Sequence, residues 1–505
     1  MEALDEEQVL ALIVQIKDWQ VNHGSLLKLI RRESVHSSVA HPVGVAVVPS
    51  AFPRSHFQHA LDLQQTYNEL YCAVAEDAQW IGDTIRDLIP VEPLAAALWG
   101  IYEAAAAAGP VQHISAGIFR SDYMLHRGQA SATTLKQVEF NAFSCSGAAH
   151  ANKVADMHRY LTRTGAYRAR GDDTDSIDLA SLPQNKNIRS LAACLATAHA
   201  AYGPRKCPQA THTAVLFVVQ PYNFNIADER PIEYALWEQE TPVPTYRLDF
   251  GPEVLEHTWL TASRELLFHP PWLGLKAPVE ISVVYMRAGY EAREYNAIGW
   301  EARLQLEKSA AIKCPSLLSH LSTFKKVQQA LTIPGTLERF LQDDKAAAVR
   351  ETFVSVFPLD NSEAGTHAQQ LATDPERSEG YILKPSLEGG GHNIFGSAIP
   401  GFLASIPQST WSSYVLMERI DSPHGMNILM GPAGVEGGEV VSELGVLGSC
   451  LWRAPDAPGS QYTLLSNSVA GWTFKTKHAD IDEMSVVKGF GCFDTPHLVG
   501  DTNVQ

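Results

Sequence analysis

Apolar and polar positions follow two different spacings along this chain, and together they predict a mixed α/β fold. Between Glu6 and Asn22 the apolar residues recur every three or four positions and Gly24 follows as a stop signal, so an amphipathic helix is predicted. The same spacing predicts further helices over 55–88, 92–108, 190–202, 231–240 and 300–312. The first part of the chain is therefore predicted to be mostly helical.

Runs rich in apolar and β-branched residues predict the strands. The runs 213–219 and 281–286 are apolar nearly throughout, which is typical of strands buried in a parallel sheet. Shorter or alternating runs predict further strands at 117–124, 135–141, 381–383, 414–420 and 440–447. The stretch 363–379 is rich in charged and small residues and is predicted to be a surface loop.

The segment from Tyr381 to Gly396 joins a predicted strand to a glycine-rich loop. Lys384 follows the apolar run and is held extended by the proline after it. Glu388 stands directly before glycines 389–391, whose backbone can come very close to a ligand. A fixed ammonium, a carboxylate able to hold Mg²⁺ and bare backbone amides suit a nucleoside triphosphate. The segment therefore predicts nucleotide binding, with a flexible surface turn as the alternative. It is not a P-loop, because the chain contains no Gly-Lys pair.

Composition limits the partners of this chain. Its 505 residues, 45% of them hydrophobic, are enough for two or three lobes. The formal net charge of −17 argues against nucleic acid and anionic membranes as partners, and no apolar run reaches membrane-spanning length. Seven scattered cysteines without a Cys-x-x-Cys pair, and an acidic N-terminal helix unlike a secretory signal, predict a cytoplasmic protein with reduced thiols.

Two further groups of polar residues follow or lie on predicted strands. Glu139 and Asn141 are two positions apart on one strand, so their side chains share a face, and a carboxylate beside an amide oxygen suits Mg²⁺. The alternative is a polar exposed face, but the small polar loop 144–147 directly after the strand favours a site. Arg287 and Tyr290 follow the second buried strand and are candidates to hold a substrate carboxylate; the alternative for Arg287 is a surface ion pair.

Eight segments, taken in order, span nearly the whole chain. They are RSDYM (120–124), VEFN with SCS (138–146), YMRAGY (285–290), WEARLQLEKSAAIKCP (300–315), KKVQQ (325–329), ILKPSLEGGGHNIFG (382–396), LMERI (416–420) and SELG (442–445). Together they resemble the eukaryotic-type glutathione synthetases, which are ATP-grasp ligases. The resemblance implies an ATP-grasp fold with an inserted α/β substrate-binding domain and a glycine-rich lid.

The resemblance also divides the chain into three parts. Residues 1–211 would form the N-terminal helical part and the first strands of the ATP-grasp body, and 212–318 the α/β substrate-binding domain. Residues 319–505 would complete the body and the lid, with the glycine-rich loop 388–396 and a C-terminal lid loop 482–491. A homodimer in the cytoplasm is implied as well.

The resemblance assigns roles position by position. The residues implied to bind ATP are Lys325, Lys384, Glu388, Gly389, Gly390, Gly391, Asn393, Phe395, Met417, Glu418, Arg419, Ile420, Glu443, Lys477 and Glu483. Those implied to bind the acid and the amino acid are Arg120, Ser144, Cys145, Ser146, Asn223, Asn225, Glu229, Arg287, Tyr290, Lys475, Val486 and Val487. Two Mg²⁺ ions per site are implied, with the ligands Glu139, Asn141 and Glu388. The catalytic set is Arg120, Lys384, Gly389 and Lys475.

The implied reaction is the second step of glutathione biosynthesis. ATP phosphorylates the C-terminal carboxylate of γ-glutamylcysteine, and the amine of glycine attacks the resulting acyl phosphate. Positioning and cations carry such a reaction, and no side-chain nucleophile is needed. Two alternatives remain: a ligase of the same mechanism with another acceptor or acid, and a weakly active ATP-binding paralogue.

The chain departs from the family pattern mainly at the amino-acid end. Lys475 replaces an arginine, Glu229 a glutamine and Ala288 an aspartate, and the segment 484–489 replaces the lid sequence Gly-Gly-Val-Ala-Ala-Gly. Two flexible glycines are thus lost and two β-branched valines gained, which predicts a stiffer lid. A stiffer lid predicts strong preference for glycine over alanine or serine as the acceptor.

Overall fold

The computed structural model of the chain describes residues 4–29, 39–128, 133–168, 177–386, 392–432, 434–455 and 460–501. Its helices are α1 (Glu6–His23), α2 (Arg54–Ala75), α3 (Ala78–Ile85), α4 (Pro93–Ala107), α5 (Ala148–Arg163), α6 (Asn187–Tyr202), α7 (Ile226–Trp237), α8 (Pro252–His257), α9 (Ala297–Lys308), α10 (Leu317–Leu321), α11 (Lys325–Leu331), α12 (Leu337–Phe340), α13 (Asp343–Glu351), α14 (Glu363–Thr373) and α15 (Ala398–Ser405).

Its strands are β1 (Leu26–Leu29), β2 (Val39–Pro42), β3 (Val45–Ala46), β4 (Ser50–Pro53), β5 (Ile114–Arg127), β6 (Thr133–Asn141), β7 (Thr213–Val219), β8 (Thr245–Asp249), β9 (Thr258–Leu260), β10 (Leu266–Phe268), β11 (Val279–Met286), β12 (Ile312–Cys314), β13 (Val356–Pro358), β14 (Tyr381–Pro385), β15 (Ile394–Phe395), β16 (Tyr414–Glu418), β17 (Gly425–Gly431), β18 (Gly434–Arg453), β19 (Thr463–His478), β20 (Cys492–Phe493) and β21 (Pro496–Val499). The predicted mixed α/β fold is therefore confirmed.

The helical start of the chain is present as predicted, with local signals at its ends. The side chain of Asp5 accepts from the backbone N–H of Gln8 and so caps α1 at its N-terminus. Gly24 ends the helix with a φ of 63°, a conformation that favours glycine. The helix predicted over 92–108 is confirmed as α4.

Two predictions about helices are wrong. The single helix predicted over 55–88 is divided into α2 and α3, because Asp77 accepts from the N–H of Trp80 and caps a new helix. The surface loop predicted over 363–379 begins instead with α14, whose N-terminus is capped by Ser362. The apolar side of α14 packs on a small sheet, and that tertiary contact outweighs the polar composition.

Two further helices lie closer to the N-terminus than predicted. α7 was predicted from Pro231, which is favoured in a first turn, but it begins at Ile226 and carries the proline inside. α9 is capped by Asn296, whose side chain accepts from two backbone N–H groups, and it ends at Lys308, before β12.

One large sheet positions most of the polar residues of interest. Among the described residues it has thirteen strands in the order β17-β3-β20-β19-β18-β5-β12-β11-β10-β9, with β6 beside β5, β7 beside β11 and β8 beside β7. The two apolar runs form β7 and β11, which pair in parallel as predicted. β18 and β19 form a long antiparallel pair, far longer than the strand predicted over 440–447, and β19 was not predicted.

The strands of the predicted substrate-binding domain continue this large sheet. β12 pairs in parallel with both β11 and β5, so β7 to β12 are joined to the strands of the body. Separate apolar clusters cover the two faces of this part. The division at residues 212 and 318 stays a prediction.

A small antiparallel sheet faces the long strands and carries the glycine-rich segment. Its order is β13-β16-β14-β15, and α14 and α15 cover its apolar face around the buried Leu383 and Leu416. Lys384 lies on β14, as the sequence predicted. Among the described residues, none of the helices is long and apolar enough to cross a membrane.

Candidate active site

A cavity of about 1350 Å³ lies where the large sheet, the small sheet and the lid loop 482–491 meet. Every predicted site residue that the structure describes lines this cavity. Four predicted residues, Glu388, Gly389, Gly390 and Gly391, lie outside the described residues. The structure thus brings residues from distant parts of the chain into one place, although their individual roles stay predictions.

Two lysines and one carboxylate form the charged centre of the cavity. Nζ of Lys325, at the start of α11, lies 3.0 Å from Glu139 Oε2, and Nζ of Lys384 donates to the carbonyl of Val138 at 3.0 Å. Burial lowers the pKa of Lys384 to about 8, although the charge of Glu139 opposes that shift. Burial by itself raises the pKa of Glu139, but the charges of Lys325 and Lys384 outweigh it and hold that pKa well below its usual range. The carboxylate is therefore ionised at neutral pH.

The amide of Asn141 is oriented for a cation. Its Nδ2 donates to Asp122 Oδ2 and to Glu139 Oε1, both at 3.1 Å. A flipped amide would set its oxygen against two carboxylates, so Oδ1 is the atom left for a metal ion. With ionised Glu139 this gives two hard oxygen ligands, a donor set that fits Mg²⁺. Within the described residues there is no group of three or more His, Cys, Asp or Glu that could hold a metal, and the third predicted ligand lies outside them.

The residues predicted around the adenine and ribose come from β16, β18, β19 and the lid. Met417 is buried on β16, and the carboxylate of Glu418 beside it accepts from Ser355 Oγ at 2.8 Å. The backbone N–H of Asn393 donates to Glu483 Oε1 at 3.2 Å, which connects the glycine-rich segment to the lid loop. Phe395, Arg419 and Ile420 complete this part of the wall.

Two lysines of β19 already have partners within the chain. Lys475 forms an ion pair with Glu443, which lies directly opposite on β18. Burial raises the pKa of Glu443, while the charge of Lys475 opposes the increase. Nζ of Lys477 donates to the carbonyl of Ile481, and burial lowers the pKa of Lys477. The predicted amino-acid ligand Lys475 is thus held beside the predicted ribose ligand Glu443.

At the opposite end of the cavity, Arg120 is fixed by two partners. Its Nε and Nη2 lie 2.7 Å from the two carboxylate oxygens of Asp122, and Nη1 donates to the carbonyl of Ser146 at 2.9 Å. Ser144 begins this small polar loop with a φ of 47°, an uncommon conformation for a residue with a side chain. The loop therefore curls around the guanidinium and leaves Ser144, Cys145 and Ser146 in the cavity wall.

Arg287 is held by a buried network, so the alternative of a surface ion pair is wrong. It is 5% exposed; its Nη1 donates to the carbonyl of Cys145 at 2.7 Å. Its Nη2 and Nε each lie 3.3 Å from a carboxylate oxygen, on Asp228 and Glu229 respectively. The second oxygen of Glu229 lies 2.9 Å from Nη1 of Arg247. Glu229 therefore joins two arginines.

Three further predicted residues surround this network. Asn223 Oδ1 accepts from the backbone N–H of Asn225, whose own Oδ1 lies 2.9 Å from Nε2 of the buried His150. Burial raises the pKa of Tyr290 to about 12, so its hydroxyl stays a neutral hydrogen-bonding group. The acid end thus combines fixed cations with neutral polar groups.

The lid loop is folded into a tight turn. The backbone groups of Ser485 and Phe490 pair with each other at 2.7 and 2.9 Å. Val486 is 4% exposed and belongs to the same apolar cluster as buried residues of α1, and Val487 packs on that cluster. Gly489 closes the turn with a φ of 90°. This side of the cavity is therefore formed by an apolar, docked segment.

Sequence reasoning missed several charged residues that position the others. The clearest are Asp122, Asp228 and Arg247, which pair with predicted residues. A signal existed for Asp122, because it lies two positions after Arg120 on one strand and so shares its face. No local signal could have found Arg247, whose partners lie on α7, in a different element.

Comparisons with known proteins show the family of this chain. The family model described as "Eukaryotic glutathione synthase, ATP binding domain" matches residues 6–498. The chain is 30% identical to the glutathione synthetase large chain of Schizosaccharomyces pombe, covering 99% of each chain, and 30% identical to the glutathione synthetase of Homo sapiens, covering 98% of each. A solved structure of a glutathione synthetase-like effector from Globodera pallida has the same fold, with a TM-score of 0.72, 20% identity and 98% coverage of each chain. The chain therefore belongs to the eukaryotic glutathione synthetase family of ATP-binding ligases.

Proposed function

We propose that this protein joins glycine to γ-glutamylcysteine with ATP and Mg²⁺, and releases glutathione, ADP and phosphate. The observation that carries the proposal is that a single cavity combines two kinds of charged group. Lysines suited to phosphate, Lys325 and Lys384, lie beside the oxygen ligands Glu139 and Asn141. Buried arginines suited to carboxylates lie at the other end.

The reaction has two steps, in line with the groups present. A carboxylate oxygen of the dipeptide attacks the γ-phosphorus of ATP, and the bond from that phosphorus to the bridging oxygen of ADP breaks. The amine nitrogen of glycine then attacks the acyl carbon, the bond from carbon to the phosphate oxygen breaks, and the nitrogen loses a proton. Lys325 and Lys384 stabilise the negative charge of the transferred phosphoryl group. Arg120 and Arg287 hold the acid in place, which removes most of the entropic cost of the encounter.

Glu139 and Asn141, with Glu388 as the predicted third ligand, would hold Mg²⁺, two ions per site. Bound there, the metal neutralises phosphate oxygens and orients them for in-line transfer. Because Lys325 contacts Glu139, the lysine keeps this carboxylate ionised and in place before the metal binds.

A ligase of the same mechanism with a different acceptor or acid is the second candidate. Two observations favour it, because both lie at positions predicted to bind the amino acid. The buried Val486 narrows the lid side of the cavity, and Lys475 is already paired with Glu443. A weakly active ATP-binding paralogue is a third reading. The ionised, correctly oriented pair of oxygen ligands argues against it.

The experiment is ADP release by the purified protein with a panel of acids and amines. We expect release that requires both γ-glutamylcysteine and glycine, with glutathione formed in a one-to-one ratio to ADP. Release with a different pair selects the second candidate. The absence of release with every pair, while a non-hydrolysable ATP analogue still binds, selects the paralogue. The variant Lys325→Met is the control for contaminating ATPase, because it removes a phosphate-binding cation.

We also propose that the protein is a homodimer. Family membership supports this, and so do Leu10, Val14 and Val21, which expose 58%, 58% and 61% of their surface on α1. Light scattering at micromolar concentration should give twice the chain mass, and Val14→Asp should shift it toward one chain mass. A single-chain mass for the unaltered protein would contradict the proposal.

A further inference from the structure

A buried carboxylate connects the two ends of the cavity. Asp122 lies on β5, is 1% exposed and does not line the cavity wall. Its two oxygens accept from Nε and Nη2 of Arg120 at 2.7 Å, and Oδ2 also accepts from Nδ2 of Asn141 at 3.1 Å. The same side chain therefore holds a residue from the acid end and a residue from the metal end.

These contacts are part of a longer hydrogen-bonded chain. Asn141 donates its second amide hydrogen to Glu139 Oε1, and Glu139 Oε2 pairs with Lys325. The order of residues in this hydrogen-bonded chain is Arg120, Asp122, Asn141, Glu139 and Lys325. Both strands support it, because Asp122 lies opposite Glu139 and Arg120 opposite Asn141 in the β5–β6 register.

We propose that Asp122 is a positioning residue that fixes the guanidinium of Arg120 and the amide of Asn141 together, so that acid binding and metal binding are coupled. The inference rests on the proposed function, since it assigns these two groups to the acid and to Mg²⁺. Asp122 orients Asn141 by accepting a hydrogen bond from its Nδ2, which leaves Oδ1 of Asn141 directed toward the predicted metal position. It orients Arg120 through a bidentate contact, in which its two carboxylate oxygens fix the plane of the guanidinium.

A glycine on the neighbouring strand makes space for the carboxylate of Asp122. A Cβ added at Gly445 would lie 2.4 Å from Oδ1 of Asp122 and 3.0 Å from Cδ of Arg120. Gly445 lies opposite Asp122 on β18, so the missing side chain there makes space for the carboxylate and its partner.

The test is Asp122→Asn, measured by binding rather than turnover. An amide at 122 has one acceptor oxygen in place of two. If that oxygen takes the place of Oδ2, the NH₂ group faces the Nε–H of Arg120, and if it takes the place of Oδ1, the NH₂ group faces Nδ2 of Asn141, so the two residues are no longer both held. We expect the Mg²⁺ concentration for half-maximal binding of a non-hydrolysable ATP analogue to rise about 10- to 100-fold. Calorimetry should also show weaker binding of γ-glutamylcysteine, with binding of each ligand no longer enhanced by the other.

Two further variants keep the proposal testable. Glu280→Gln alters another fully buried carboxylate, which accepts from Tyr202 and two backbone N–H groups far from the cavity, so it should lower the Tm without changing the Mg²⁺ dependence. The exchange Asp122→Asn with Asn141→Asp restores a donor and an acceptor between the two positions. It should recover part of the Mg²⁺ affinity lost in the single variant, or restore folding if the single variant does not fold.

The proposal is overturned if Asp122→Asn binds both ligands as the unaltered protein does, or if the exchange is no better than the single variant. These outcomes differ from a failure of the proposed function. If the unaltered protein binds the ATP analogue with Mg²⁺ but releases no ADP with any pair, the proposed function fails while the role of Asp122 in metal binding can still be measured.

Discussion

At the predicted nucleotide end of the cavity lie Lys325 and Lys384, whereas at the predicted acid end Arg120 and Arg287 contact carboxylates that are almost wholly buried. Lys325 pairs with Glu139, which lines the cavity and is itself a predicted metal ligand. Lys475, a predicted amino-acid ligand, pairs with the predicted ribose ligand Glu443. Arg287, in contrast, pairs with carboxylates on α7 and a backbone carbonyl.

The difference indicates which end must rearrange. A lysine is a flexible point charge, and its partners here are groups that nucleotide and metal must contact, so those pairs exchange on binding. Each arginine fork is held by two or more buried partners at once, so the predicted acid end is preorganised. Substitutions at the nucleotide end should therefore mainly lower kcat/KM for ATP, whereas substitutions at the acid end should mainly weaken binding of the acid and lower stability.

The largest effect is expected from Lys384→Met at the nucleotide end. Removing this buried ammonium takes away charge stabilisation of the transferred phosphoryl group, and kcat/KM for ATP should fall on the order of 10²- to 10³-fold. The Tm should not fall much, because the methionine fits the buried site without a desolvated charge. Lys276→Met, at an exposed lysine that does not line the cavity, is the control and should change neither value. A loss of less than about threefold would remove Lys384 from the catalytic set.

Arg287→Lys tests the preorganised end. Lysine keeps the charge but cannot serve the three acceptors on Asp228, Glu229 and Cys145, so the Kd for the acid should rise about 10- to 100-fold. Loss of buried hydrogen bonds should also lower stability by about 1–3 kcal/mol. Binding of the ATP analogue, measured by calorimetry, should stay within about twofold. Equal losses for acid and nucleotide would mean that the two ends are not distinct.

The pH dependence sharpens the contrast further. Burial lowers the pKa of Lys384 to about 8, and the ammonium form, which predominates below that pH, is the form proposed to bind phosphate. We expect kcat/KM for ATP to decline above pH 8, approaching tenfold per pH unit, while the arginine end does not titrate in this range. In Lys384→Arg most of this decline should disappear; a smaller one remains because burial also lowers the pKa of Lys477. An unchanged profile in the variant would assign the decline to another group.

Much of the site could be predicted because its signals are local. Three signals each depend on only a few neighbouring residues. They are the placement of Glu139 and Asn141 two positions apart on one strand, the Lys-Pro pair at 384 and the arginine after a buried strand. All three patterns led to side chains that line one cavity. Such local predictions succeed because side chains alternate regularly along a strand and because ligand sites lie at the carboxyl ends of parallel strands.

The rest depends on contacts between distant segments. β19 was missed because its outer half alternates weakly and is stabilised by pairing with β18, not by its own composition. The sequence predicts a loop at α14 because the buried positions of this helix are small, Ala368 and Ala372 among them, and only packing makes them part of a core. The pairing of Glu229 with Arg247 is likewise visible only once α7 lies beside β8.

The smallest expected effect concerns the lid loop, which lines the cavity and is predicted to close its acceptor side. Val486 is docked in an apolar cluster, and a Cβ at Gly491 would meet Met484 Sδ at 3.0 Å, so the turn is tightly packed at both ends. Met484→Gly with Ser485→Gly removes that packing and adds backbone freedom, and it should lower the preference for glycine over alanine about three- to tenfold or raise ATP hydrolysis without peptide formation. The matched control is Met484→Ala with Ser485→Ala, which removes the same side chains but keeps the backbone restricted. If the glycine variant retains both the acceptor ratio and the coupling, the lid does not select the acceptor. If both variants change alike, side-chain packing, not backbone stiffness, sets the selectivity.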